Sequence, residues 1–376
     1  MYIWQHEAWP NFIWHQDRIE SQLAAIRLLQ GRLLGRLEAA PESTDVEMEM
    51  DALIQSAIRT SEIEGEHLDA QSVRSSIVQK LGLQRAGLAA PVTAQSEAMV
   101  ELLVEATREP DESLSLDDLC RWQSLLFPEH PGLLSNLRIG KLRGAEPMRV
   151  VSGRLDRPTV HFEAPPRDRL DEELARFIDW FRQPPSTLDP LLRAGIAHLW
   201  LITLHPFEDG NGRVARAVTD RALAQAERQS VRFYSLSEAI MLRRKSYYQV
   251  LESTQCGNLD ITDWLQWFLD TLEQALEQAM ARLKRVLSIA RFWQKHAATP
   301  LSERQIKALN RLLDTAGEGF RDGITARKYG SLTKVSKATA TRDLTDLFEK
   351  GCLEKLPGRG RSTRYVIAGQ KDLPPL

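Results

Sequence analysis

The sequence predicts an all-α protein with one small β-hairpin set into its helical core, a helical region before that core and a separate unit of three helices and a hairpin after it. Three observations lead there. Apolar residues recur at helical spacing along most of the chain, beginning with Ile19, Leu23, Ile26, Leu29 and Leu33. A single stretch, residues 148–164, reads instead as two short strands separated by a turn. Finally, residues 301–376 change sign of charge, carrying 15 basic against 9 acidic residues, which leaves residues 1–300 at −8.

Each element follows from local pattern. The Trp-rich start (Trp4, Trp9, Trp14) precedes the first amphipathic helix. A second helical pattern runs from about Met48 to Glu66 and breaks at Gly65, and a third covers Asp69 to Leu81. Polar and Gly/Ala-rich residues 84–93 mark a boundary, so the expected divisions are 1–90, 91–290 and 300–370. Helical runs then cover Ser96–Thr107, Leu116–Leu126, Leu170–Phe181, Leu191–Leu204, Val214–Gln229, Ser237–Thr254 and Ile261–Val286. Between the second and third of these, Met148–Gly153 and Thr159–Ala164 read as strands joined by a turn that ends in Pro158. Spacing alone leaves a plain connecting loop open there. Open strand edges, if formed, can accept another extended chain.

Length and composition narrow the class. At 376 residues the chain exceeds the usual single-core size, and 43% hydrophobic with 27% charged residues is ordinary for a globular protein. The start mixes Trp with charge and does not read as a signal peptide, and nothing approaches the roughly 18 apolar residues of a membrane span. Cys120, Cys256 and Cys352 form no CxxC pair, which argues against a disulfide framework and a zinc site. A reducing cytoplasm is therefore expected, with no membrane partner; a homodimer stays open beside a monomer.

The chemistry concentrates in His205-Pro-Phe-Glu-Asp-Gly-Asn-Gly-Arg-Val-Ala-Arg216. An apolar helix stops at Pro206, the chain turns through Gly210, Asn211 and Gly212, and a helix resumes at about Arg213. Amides at a helix N-terminus, bared by glycines, make a nest for di- or triphosphate. Arg213 and Arg216 stand at i and i+3, so both guanidinium groups can face that nest. Asp209 is a hard oxygen ligand suited to Mg2+, which binds through few carboxylates and substrate phosphates. His205, with a reference pKa near 6.5, can be neutral and accept a proton. No GxxxxGK[ST] and no HExxH occurs, and His161-Phe-Glu163 lacks a downstream PCxxC, so P-loop, zinc-protease and deaminase chemistries are excluded.

With those residues in place, the chain resembles the Fic (Fido) proteins, whose signature HxFx(D/E)GNGRxxR is matched at His205, Phe207, Asp209, Gly210, Asn211, Gly212, Arg213 and Arg216. The resemblance implies a Fic-fold core and transfer of AMP from ATP to a Ser, Thr or Tyr hydroxyl of a target protein. It implies His205 as general base, Asp209 as the Mg2+ ligand, Asn211 with the glycine amides on the phosphates, and Arg213 with Arg216 on their β/γ end. Phe207 would anchor the loop, and residues 148–164 would be the flap that docks the target. Upstream, Thr60-Ser-Glu-Ile-Glu64-Gly65 fits the family's inhibitory pattern (S/T)xxxE(G/N). Glu64 near a helix C-terminus faces an unfavourable dipole and calls for a cation. The resemblance names Arg216 as that cation.

Residues 300–370 order as helices over Glu303–Asp314, around Ile324–Tyr329 and over Lys337–Lys350, then two short segments around Gly358–Arg364. That is the order of a winged helix-turn-helix, with Lys337 and Arg342 on the second-motif helix and Arg359, Arg361 and Arg364 at the wing. Such units meet double-stranded DNA or dock protein, and the residues leave both open. The rival to an ATP-dependent transferase is thus a DNA-binding regulator whose core senses nucleotide; a third use of the same site is removal of AMP, with Glu64 orienting a water.

Overall fold

Helices form where apolar spacing calls for them, and several of them begin at a capping side chain. The structure, a computed structural model, describes residues 1–83, 90–109, 111–128, 137–154, 157–229, 232–314, 323–356 and 363–369. Among these it contains fourteen α-helices and two antiparallel hairpins, an all-α architecture with small two-stranded sheets. The expected boundary at 84–93 falls partly outside the described residues, and Arg359 and Arg361 fall wholly outside them.

The chain forms two units, Met1–Glu38 with Asp45–Ala279, and Ala39–Thr44 with Met280–Leu376. In the first, α1 (Gln16–Glu38) and α2 (Glu42–Ile63) are followed by α3 (Ala70–Lys80), whose N-cap Asp69 accepts the Ser72 N–H at 2.7 Å. Next come α4 (Ala94–Arg108) and α5 (Leu116–Leu125), the latter opened by a reciprocal Ser115/Asp118 capping box. The expected hairpin is present as β1 (Arg149–Arg154) and β2 (Arg157–Glu163), with a register shift between Val150 and Val151. Then follow α6 (Arg167–Arg182), α7 (Pro190–Leu204) and α8 (Asn211–Glu227). Nearly every side chain of α7 is buried, which is why its sequence is apolar all round. Trp200 on α7 gathers Trp9, Phe12, Phe177 and Trp180 around it at ring separations of 5.3 to 6.1 Å.

Where one helix was expected over Ser237–Thr254 there are two, α9 (Leu236–Leu242) and α10 (Arg244–Gln255). Arg243, at φ −113° and ψ 21°, breaks the run, and its guanidinium is drawn to Thr271 Oγ1 at 3.2 Å. No periodicity signals that break, because the residues on both sides keep helical spacing. The next helix, α11 (Thr262–Lys295), is longer than its apolar pattern suggested.

The second unit holds α12 (Glu303–Asp314), α13 (Ala326–Thr333), α14 (Lys337–Glu349) and the hairpin β3 (Leu353–Lys355) with β4 (Tyr365–Ile367). Leu309, Leu312, Tyr329, Leu344, Leu347 and Ile367 form its own core. Asp343 ties it together, accepting from Tyr329 Oη at 3.0 Å and from Arg304 Nε at 2.6 Å. Among the described residues no helix is long and apolar enough to cross a membrane.

Candidate active site

His205 ends α7 in a conformation that L-residues avoid, φ 47° and ψ 59°. The left-handed region costs a non-glycine residue about 1–2 kcal/mol, so the surroundings must hold it there. They do so through Arg143, a buried side chain that donates from Nε to the His205 carbonyl at 2.8 Å, while its own N–H donates to the Pro206 carbonyl at 2.9 Å. The imidazole Nδ1 lies 2.7 Å from the Ile202 carbonyl. A carbonyl can only accept, so Nδ1 carries the proton and Nε2 keeps its lone pair. Burial lowers the His205 pKa from its usual 6.5, and Arg143 adds to the effect against the opposing pull of the Ile202 bond, Glu64 and Asp209. The neutral, proton-accepting form is therefore the resting one.

The loop that follows is clamped to a fixed shape. Phe207 is fully buried, and its N–H and C=O both bond the Asn211 carboxamide, at 2.9 and 2.8 Å. The Asn211 side chain thus closes the loop, with both of its carboxamide heteroatoms engaged. Gly210 sits at φ 87°, a backbone conformation that strains any side chain, and a Cβ there would come within 2.6 Å of Leu126 Cδ1, so that a larger residue would require Leu126 to shift. It is also the N-cap of α8, which therefore starts at Asn211, two residues before the expected point. The first in-helix bond is Val214 N–H to the Gly210 carbonyl at 3.0 Å, so the amides of Asn211, Gly212 and Arg213 precede the helical ladder. No acidic residue occupies that first turn.

Arg213 and Arg216, expected side by side, are both buried beneath this turn, at 3% and 2% exposure. Arg216 donates from Nη2 to Glu64 Oε1 at 2.7 Å, from Nε to Thr60 Oγ1 at 2.7 Å and from Nη2 to the Thr60 carbonyl at 3.0 Å. Burial would raise the Glu64 carboxyl, but the charge and hydrogen bond of Arg216, with Arg213 and Arg244 behind it, prevail and hold it below the ordinary carboxylate range. The carboxylate lies so close over the loop that a Cβ on Gly212 would be 2.2 Å from Glu64 Oε1. Glu64, Asp209, His205 and the glycine turn line one cleft of about 550 Å3, walled on the other side by Val150 and Val151 of β1 and by Tyr248 and Leu251 of α10.

The donor set fits a bound polyphosphate and one hard cation. Arg216 Nη1 and Arg213 Nε are buried without an acceptor among the described residues, the state expected of groups whose acceptor arrives with a ligand. Asp209 is half-exposed and uses Oδ1 for the Gly210 N–H at 2.6 Å, which leaves its other oxygen available to an ion. Among the described residues no cluster of three or more His, Cys, Asp or Glu side chains could hold a metal unaided. An ion at Asp209 would complete its shell with phosphate oxygens, as Mg2+ does.

The chain matches known proteins over part of its length. Residues 113–223 match the model of the Fic/DOC family, and residues 2–83 match a domain of unknown function, DUF4172. Residues 113–223 of this chain are a Fic-family domain. A protein adenylyltransferase, fic-1, of Caenorhabditis elegans is 34% identical over 122 residues, 30% of this chain and 24% of the relative. Another, from Nematostella vectensis, is 28% identical over 177 residues, 46% of this chain and 36% of that one. The chain thus spans about a quarter to a third of the length of these relatives. In fold, a Fic family protein from Desulfovibrio desulfuricans superposes with a TM-score of 0.51 at 20% identity, covering 93% of this chain and 96% of that one. The structure of C. elegans Fic-1 residues 134–508 gives the same TM-score and identity over 70% of this chain and 72% of that one.

Several residues that hold the Fic motif lie outside it and carry no local signal. Gln123, fully buried on α5, accepts the Gly140 N–H at 2.6 Å and donates to the Asp209 carbonyl at 3.3 Å. Within the motif, Glu208 accepts the Arg138 N–H at 2.9 Å and so pins the segment leading to the hairpin. Arg244 Nε and Tyr248 Oη donate to the Ile63 carbonyl at 2.8 and 3.2 Å, capping the end of α2 and fixing the position of Glu64. Glu66, one residue past the inhibitory pattern, receives Arg213 Nη1 at 2.6 Å.

Proposed function

We propose that this chain is a protein adenylyltransferase that moves AMP from ATP to a Ser, Thr or Tyr hydroxyl of a target protein and is held inactive by Glu64. The observation that carries this reading is the His205 ring: Nδ1 is committed to the Ile202 carbonyl, leaving Nε2 to take a proton in the same cleft as the glycine turn. The names of the curated relatives support the same chemistry.

In the reaction the target oxygen attacks the α-phosphorus and its proton passes to His205 Nε2. The new O–P bond forms as the bond to the departing pyrophosphate breaks. Amides of the first turn of α8, with Arg213 and Arg216, meet the charge that grows on the leaving group. Mg2+ bound at Asp209 would neutralise part of that phosphate charge. The strands over 149–163 offer a docking edge for the target, with Val151 and Val160 exposed at 51% and 43%. Glu64 acts as a brake because its carboxylate lies over Gly212 and occupies Arg216, where phosphate oxygens would bind.

A second reading rests on the last unit. Three helices and a hairpin place exposed Lys337, Thr341 and Arg342 on α14, as a DNA-reading helix requires, so a nucleotide-sensing regulator is the alternative. Incubating Glu64→Gly protein with α-labelled ATP, Mg2+ and a cell lysate separates the two. Covalent AMP on protein supports transfer; duplex binding without transfer supports the regulator. Loss of AMP from a pre-labelled target would identify the reverse use of the site.

A further inference from the structure

We propose that Glu66 is a second carboxylate of the brake, occupying Arg213 as Glu64 occupies Arg216, so that one turn neutralises both phosphate-binding arginines. The inference rests on the nucleotide-binding reading above and extends it to a residue outside the inhibitory pattern.

The geometry follows from how α2 ends. After Ile63 the chain reverses at Gly65, φ 86°, and the Glu66 N–H returns to the Ser61 carbonyl at 3.0 Å. This reversal sets Glu64 and Glu66 on either side of the glycine. One carboxylate then lies 2.7 Å from Arg216 Nη2 and the other 2.6 Å from Arg213 Nη1. The two arginines stand one turn apart on α8, so a pair of acids two residues apart across a glycine can engage both at once.

Arg213 has a choice of acids, and distance decides it. Asp209 Oδ1 is 3.8 Å from Nη2, whereas Glu66 makes a direct hydrogen bond. Arg213 Nε remains buried and without an acceptor among the described residues, so its guanidinium is only partly satisfied by Glu66. Removing Glu64 alone therefore leaves half of the phosphate-binding charge occupied. The two holds differ in strength, since the Glu66 side chain is 51% exposed and that of Glu64 is 29% exposed. Salt screens the more exposed pair more, which makes the Glu66 contribution the salt-sensitive part of the brake.

The test is ATP affinity measured by titration calorimetry in the Glu64→Gly background, with and without Glu66→Ala, and again with Arg213→Ala. Removing Glu66 should tighten ATP binding about 1.5-fold to fivefold at low salt. The gain should shrink at high salt and vanish once Arg213 is alanine. Glu66→Gln, which keeps the shape of the side chain and removes its charge, should give most of the same gain. Unchanged or weaker ATP binding on removal of Glu66, or an equal gain without Arg213, would overturn the inference while leaving the nucleotide site standing. Absence of ATP binding in every variant would instead bring down the nucleotide reading and this inference with it.

Discussion

Glu64→Gly is the perturbation that tests most of the site at once. In the wild type the Arg216 guanidinium is 2% exposed and gives one 2.7 Å bond to Glu64 and two further bonds to Thr60. Losing the carboxylate leaves Arg216 in place, because the Thr60 bonds persist, but with Nη1 and part of Nη2 unpaired. A close charge pair of this kind couples by about 1.5–5 kcal/mol, and each 1.4 kcal/mol is tenfold in the closed-to-open ratio. Adenylylation should therefore rise by about one to three orders of magnitude. The same change strands a buried cation, so the ATP-free variant should lose about 1–3 kcal/mol of stability and regain it when ATP is added. Glycine at a helix end is tolerated, and the neighbouring Gly65 already makes the turn. Arg216→Ala is the control, since it opens the cleft but removes the phosphate contact, and should leave activity low. Autoradiography of the three proteins with labelled ATP, beside melting curves with and without ATP, reads both effects. Equal labelling by wild type and Glu64→Gly would refute the brake.

Other outcomes follow from the same geometry. His205→Ala should lower transfer by about two to four orders while ATP still binds, and the wild-type rate should fall with acid only below the usual histidine pKa of 6.5, because burial depresses that of His205; unchanged labelling by the variant would remove the base role. Asn211→Ala strips both bonds from the Phe207 backbone and should destabilise the fold by about 2–4 kcal/mol, read by urea unfolding, besides lowering activity. His198, buried between Thr219 and Tyr247, is pushed down to about 3, so the unfolded chain binds a proton that the folded chain refuses. Stability should thus fall as pH drops below about 6.5 toward 3, by at most about 1.4 kcal/mol per pH unit from this group, and His198→Gln should flatten the slope. If residues 300–370 bind duplex, log affinity should fall with log salt by about 0.9 per phosphate neutralised, and Lys337→Ala with Arg342→Ala should flatten that dependence; no binding at low salt in a filter assay excludes a DNA role.

What the sequence alone determined is what sits within a few residues of itself. The helices could be read because apolar residues repeat every turn, whereas spacing left the hairpin open beside a plain loop and only the family resemblance favoured it. The anion loop could be read because Gly210, Asn211, Gly212 and the two arginines are contiguous. Tertiary structure decided everything that depends on partners far along the chain. One local feature also escaped: Asn211 was legible as a motif residue but not as a clamp on Phe207 four residues before it, since a carboxamide serves loop or ligand equally well until its neighbours are placed. Arg143 and Gln123 hold the loop from 62 and 86 residues away, and Arg244 caps α2 from a separation of 181. The break at Arg243 and the choice of Glu66 over Asp209 by Arg213 belong to the same class. Hydrogen bonds and ion pairs act over about 3 Å of space, and only the packing of the helices decides which distant residues come that close.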